Sequence, residues 1–204
     1  MFIYSPKVKA LSLSQLYNSL ENANNVHVSS FVPDSEKPVQ EQWVSRSFKM
    51  NISKIHDIIT LVDINSKSKT IKDLTTGSIN TQMISQELAS DTEYSINRSL
   101  GLIPFYSISN IPPDAEWNKV TDSQNLEENT EIYELSYISD TFGDAVFIKM
   151  RYILKADTDL PIKVESYRKL PNESEYTLNG FKTIDYLSNE DFVSFKNNYF
   201  KDEK

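Results

Sequence analysis

Val146-Phe147-Ile148-Lys149-Met150-Arg151-Tyr152-Ile153-Leu154-Lys155 alternates with a period of two. Val146, Ile148, Met150, Tyr152 and Leu154 share one side; Phe147, Lys149, Arg151, Ile153 and Lys155 share the other. An apolar face backed by a mostly cationic one predicts a half-buried antiparallel strand. Ala156-Asp157-Thr158-Asp159 supplies turn formers, and Leu160-Pro161 opens a second strand where proline is tolerated. In it Ile162 and Val164 continue the apolar side, while Lys163, Glu165 and Lys169 continue the polar one. After Pro171-Asn172-Glu173-Ser174 a third strand runs from Tyr176 to Tyr186. The stretch from Asp144 to Tyr186 is therefore a meander whose apolar face, with Val146, Ile148, Met150, Tyr152, Ile162 and Val164 inward, must be covered by other elements.

Elements suited to that task flank the meander. Ser12-Leu13-Ser14-Gln15 has capping-box spacing, and Leu13, Leu16, Tyr17 and Leu20 follow on one helical face. Val26, Val28, Ser30 and Val32 mark a strand over 25–32, closed by Pro33. Val39 to Ile52 is expected as one long second strand, with Gln42, Val44, Arg46, Phe48, Met50 and Ile52 on one side and Trp43 on the other. Residues 57–64 and 69–74 form a predicted hairpin. Met83 to Leu102 is expected as a helix, followed by the apolar knot Leu102 to Tyr106 and by Ile111-Pro112-Pro113, which excludes regular structure. Strands are expected over 115–120 and 131–139, with a loop from Thr121 to Thr130 between them. Ser188 caps a last helix that carries Glu190 and Asp191 in its first turn. The fold class is α+β, mainly β, with residues 11–204 as a single domain. Residues 1–10 form an extension, and Met1-Phe2-Ile3-Tyr4 fits an ordinary terminus as well as the end of a removed membrane anchor.

Composition narrows the functions. A net charge of −8 and a pI near 4.9 argue against binding a phosphate backbone or anionic headgroups, so no nucleic-acid partner is expected. With no cysteine there is no disulfide or thiolate chemistry. His27 and His56 stand apart with no acidic or histidine partner at ligand spacing, so neither a metal nor any other cofactor is expected. Asp157 and Asp159 lack the glycine and distal glutamate of a calcium loop. No recognised catalytic motif occurs, and an enzyme would have to draw on dispersed carboxylates such as Glu134, Asp144 and Glu165.

Glu41-Gln42-Trp43-Val44-Ser45-Arg46, on a strand after an amphipathic first helix, resembles the W-V-x-R stretch of the LolA-like periplasmic lipoprotein carriers. Leu160-Pro161-Ile162-Lys163-Val164-Glu165 is similar to a strand start of the wider superfamily, which includes the sensor domains of RseB-type sigma-factor regulators. The resemblance implies a strongly curved antiparallel sheet, an unclosed half-barrel, with helices packed across its concave face as a lid. It also implies an extracytoplasmic location, in the periplasm or cell envelope. Two functions follow from it. One is a non-catalytic sensor or interaction domain of an anchored regulator, with a protein partner and a filled core. The other is a carrier that holds an acyl chain or other apolar ligand between sheet and lid. For the carrier, the lining is expected from Arg46, Phe48, Met83, Ile84, Leu88, Ile148 and Met150, with Tyr152, Ile162 and Val164 beside them. Arg46 matches the family's arginine that bonds lid backbone and latches the closed state. Ser47 stands where a proline often follows that arginine, and the Asp-Gly turn before the next strand is absent; both departures bear on carrier activity more than on fold.

Overall fold

The expected alternation becomes one sheet. The structure, a computed structural model, describes residues 10–105, 108–121, 129–140 and 145–200. Helix α1 (Leu13–Glu21) starts at Ser12, whose hydroxyl accepts the Gln15 N–H while the Gln15 side chain accepts the Ser12 N–H, the expected capping box. Strands β1 (Asn25–Phe31), β2 (Gln40–Ser45), β3 (Met50–Ile55), β4 (Ile58–Asp63), β5 (Ser68–Asp73) and β6 (Ile79–Met83) follow as successive hairpins. Helix α2 (Gln86–Ser99) leads to β7 (Glu116–Val120), β8 (Thr130–Ser139), β9 (Val146–Lys155), β10 (Pro161–Lys169) and β11 (Thr177–Tyr186). Helix α3 (Asn189–Phe200) ends the described chain, with the Ser188 hydroxyl accepting the Asp191 N–H as its cap. Residues 1–9, the loop residues 122–128, and Asp144 lie outside the described residues.

The eleven strands form one unclosed antiparallel sheet in the order β6-β5-β4-β3-β2-β1-β11-β10-β9-β8-β7. The first six strands step outward from the centre and the last five step back to it. β1 therefore meets β11 in mid-sheet, pairing Val26 with Tyr186 and Phe31 with Phe181. Between β6 and β7 the chain must travel from one edge of the sheet to the other, and α2 makes part of that journey.

Two sequence expectations need correction here. The long strand over 39–52 is two strands, separated by a tight turn at Arg46–Lys49. The Ser45 hydroxyl accepts the Phe48 N–H (3.0 Å), and Lys49 adopts φ 53°. No glycine, proline or asparagine punctuates this turn, so the alternation alone runs straight through it. The predicted helix from Met83 begins only after a strand, β6, whose polar residues Asn80, Thr81 and Gln82 carry no apolar periodicity.

The turn at Arg46 reverses the phase of everything beyond it. Val44 faces α1 and α2, whereas the Trp43↔Ile52 and Ser45↔Met50 pairs put Met50 and Ile52 on the Trp43 side. The sheet consequently has apolar surface on opposite faces at its two ends. Val26, Val28, Val44, Tyr133, Leu135, Tyr152, Leu154, Val164 and Ile184 pack with Leu16, Tyr17 and Leu20 of α1 and with Ile96 and Leu100. Trp43, Met50, Ile52, Ile59 and Leu61 pack instead with Phe192 of α3 on the other side. Phe195 stacks on Trp43 at a centroid distance of 3.7 Å, which continues that second core.

Candidate functional site

The α1/α2 face holds the groups that point to function, and its helices are fastened from below. Arg46, carried on the β2–β3 turn, reaches back under both helices. Its Nη1 donates to the carbonyls of Leu20 (3.1 Å), Glu21 (2.8 Å) and Ala23, and its Nη2 to those of Ile96 (3.3 Å) and Asn97 (3.1 Å). These carbonyls end α1 and belong to the last turns of α2, where acceptors lack intrahelical partners and the helix dipole is negative. A guanidinium suits the task because its planar fork presents several donors at once. Desolvation lowers its pKa while the Glu21 charge opposes that shift.

Aromatic side chains complete the fastening. The Tyr133 hydroxyl accepts the Leu11 N–H at 2.9 Å, and the Trp117 indole donates to the Leu11 carbonyl at 2.8 Å. The Tyr17 hydroxyl donates to the Phe105 carbonyl at 2.8 Å, which ties α1 to the apolar knot after α2. At the end of α2, Leu100 adopts the left-handed region at φ 52° while remaining buried, with Gly101 at φ 76° after it. The strain of a non-glycine residue there, about 1–2 kcal/mol, is offset by burial of the leucine side chain beneath the helix.

Beneath this cover the face is largely filled. Tyr152 is fully buried, and burial pushes its hydroxyl pKa far up. The described residues leave hollows on this face, two of which bear on function. One, of about 230 Å³, lies between α2 and strands β2 and β3, lined by Gln42, Val44, Asn51, Asp91 and Ser95 among others. The second, of about 270 Å³, lies beyond α1 on the mid-sheet, where Met150, Val164, Ser166, Gly180, Lys182 and Phe31 line it. Gly180 is required there: a Cβ would meet the Phe31 carbonyl oxygen at 2.6 Å, so only glycine lets the end of β1 approach so closely. Lys182 pairs across strands with Val164 and Ser30. Lys182 as a whole is exposed, while local crowding of its amine lowers its pKa from the ordinary lysine value.

The ten residues expected to line a ligand site are scattered by this arrangement. Arg46 bonds the helix-end carbonyls of α1 and α2 and lines neither cavity described above. Met150 and Val164 line the second cavity; Tyr152 is core beneath α1. Ile148, half-buried, pairs with Tyr137 and Arg168 on the same face. Ile162 falls at a register shift between Pro161 and Lys163, so the strict alternation fails at that residue. Phe48 belongs to the other face, stacked on Phe192 at 5.7 Å and bordering a hollow of about 440 Å³ against α3. Met83 is 73% exposed on the edge strand and Leu88 is 46% exposed on α2, so neither is part of the packed interior. Ile84, half-buried, donates its N–H to the Lys67 carbonyl beside that edge. The reversal at the β2–β3 turn displaced Phe48, and the unforeseen strand β6 displaced Met83.

The carboxylates have structural partners. Glu134 accepts from Arg151 Nη2 at 2.8 Å, and Glu165 pairs with Lys163 at 2.8 Å and accepts from the Tyr167 hydroxyl at 2.7 Å. Both stand on the face opposite the cavities. His27 lies between Glu41 (3.4 Å) and Asp185 (3.6 Å) and stacks on Trp43 at 4.5 Å. Its acidic neighbours come from flanking strands, which spacing along the chain does not reveal. Lys182 and Gly180 were also missed, although a lysine in phase with Ile184 and Tyr186 is a readable signal. No model of a known protein family matches the chain, and no curated protein matches it.

Proposed function

We propose that this chain is a non-catalytic extracytoplasmic domain of LolA-like and RseB-like type, the sensor or interaction module of an anchored regulator. In this reading the sheet curves strongly into a half-barrel, and α1 and α2 lie across its concave face. The observation that carries it is the filled interior beneath the helices, where Tyr133, Leu135, Tyr152 and Leu154 are all at most 1% exposed. Supporting it, the hollows described on that face, at about 230 and 270 Å³, fall below the roughly 300–1,000 Å³ of typical ligand pockets. The ion-paired state of Glu134 and Glu165 favours a non-catalytic role. The five bonds from Arg46 favour a lid that stays shut.

The carrier reading rests on one specific observation, the cavity at Met150 and Val164 with the Lys182 amine at its side. An apolar chain end seated there would gain roughly 0.8 kcal/mol per buried methylene. Titration with a fluorescent fatty acyl probe separates the two. The filled-core reading expects no saturable binding at micromolar probe. Saturable binding that unlabelled acyl chains compete away would replace it with the carrier reading.

A further inference from the structure

We infer that β6 is a self-complementary edge through which two copies of this chain join their sheets about a two-fold axis. Edge strands present unpaired backbone groups, and soluble proteins blunt them with charges, prolines or bulges. β6, Ile79-Asn80-Thr81-Gln82-Met83, has no charged residue and no proline, and all five residues are exposed. Ile79 is 56% and Met83 73% exposed.

The backbone phase of this edge is fixed by its other side. The Asp73 N–H donates to the Ser78 carbonyl (3.0 Å), and the Ile84 N–H donates to the Lys67 carbonyl (2.9 Å). In an antiparallel ladder such bonded pairs alternate. Residues 78, 80, 82 and 84 therefore spend their backbone groups on β5, and Ile79, Thr81 and Met83 turn theirs outward. An antiparallel copy centred on Thr81 sets Thr81 against Thr81, Ile79 against Met83 and Asn80 against Gln82. The three outward residues then become the hydrogen-bonded pairs of the new ladder. On one face apolar side chains meet apolar ones on either side of paired threonines; on the other, amide meets amide. A two-fold interface requires such a pattern, in which each residue finds its complement in the same sequence.

The opposite edge fails the same comparison. β7, Glu116-Trp117-Asn118-Lys119-Val120, would set Glu116 against Val120 and Trp117 against Lys119. Lys119 is already held by Glu131 at 2.7 Å. The inference does not depend on the proposed function, since β6 lies at the far edge from the Met150 cavity.

Sedimentation equilibrium of the whole chain, with point variants, tests it. The wild type is expected to dimerise, and Thr81→Lys, which sets like charges directly opposite, to weaken dimerisation by at least about tenfold. Thr81→Val keeps the dimer, and circular dichroism shows all variants folded, because residue 81 is exposed. The chain has no cysteine, so Thr81→Cys reports geometry cleanly. Bonded antiparallel pairs bring Cα atoms to about 5.5 Å, within disulfide reach, so oxidation yields a covalent dimer. Gln82→Cys, offset along the ladder from its own copy, yields none. A wild type monomeric up to about 1 mM, the weak end of specific association, overturns the inference. So does a Thr81→Lys dimer as tight as wild type, or equal cross-linking from both cysteines.

Discussion

The hydroxyl of Ser45 donates to Asn25 Oδ1 at 2.6 Å, with both side chains buried. The Asn25 amide in turn donates to Asn189 Oδ1 at 2.8 Å. One polar thread thus runs from the turn that carries Arg46, through the start of β1, to the start of α3. It couples the fastening of the helices on one face to the seat of the helix on the other. Ser45→Ala is expected to cost about 1–3 kcal/mol, the usual penalty for a buried acceptor left without its donor. Urea denaturation measures it, and a cost near zero would mean that Asn25 finds another donor.

Arg46→Leu removes donors from carbonyls of both α1 and α2. A loss of about 1.5–3 kcal/mol in stability is expected, the range for hydrogen bonds from a charged donor. Arg46→Lys should recover only part of it, because an ammonium cannot span both helix ends. If lysine restores full stability, the charge alone matters and the fork geometry does not.

The α3 core predicts a contrast between two apolar residues. Phe192 is fully buried among Trp43, Ile52 and Ile59, whereas Leu88 is 46% exposed. Phe192→Ala should cost about 3–5 kcal/mol, and Leu88→Ala should stay within about 0.5 kcal/mol. Comparable losses for the two would place Leu88 in a contact that its exposure denies.

Much of this was legible in the sequence. The meander over β9 to β11, the capping box of α1 and the Ser188 cap all follow from local chemistry, because period and cap residues are fixed within a few positions. Arg46 was singled out through a resemblance, and its side chain bonds backbone carbonyls at the ends of α1 and α2. What escaped were consequences of turns and partners. Ser45 builds a turn with its side chain in place of a glycine, so the phase of Phe48, Met50 and Ile52 came out inverted. β6 is polar because it is exposed on both faces and at an edge, so no apolar period marks it. The second core on α3 was invisible because Trp43 and Val44 are both apolar, and neither face of β2 advertises solvent.

Alkaline stability should report the buried tyrosines. Burial raises the Tyr17 hydroxyl to about 12, and burial together with Glu165 raises Tyr167 to about 12, against an ordinary value of 10.0. A raised folded value means that the folded state holds the proton more tightly than the unfolded one. Their contribution is complete below pH 10.0 and is lost as pH rises toward about 12. Tyrosinate absorbance should therefore lag below pH 11 and rise together with unfolding, as expected for groups shifted in this way. Full ionisation of every tyrosine near pH 10 in the folded chain would contradict it.

The sheet order has a consequence for how the chain assembles. Every strand pair except one joins neighbours along the chain, so two zigzags, β1 to β6 and β7 to β11, close through local contacts. The exception is the seam from Val26–Tyr186 to Phe31–Phe181, which joins residues at nearly opposite ends of the described chain. Closing it carries the largest loop-entropy cost and comes late in folding. Chain cleavage between α2 and β7 should therefore leave two fragments that find each other along that seam. Fragment recombination followed by tryptophan fluorescence would show it, and fragments that stay apart at high concentration would mean that the seam needs the connecting chain.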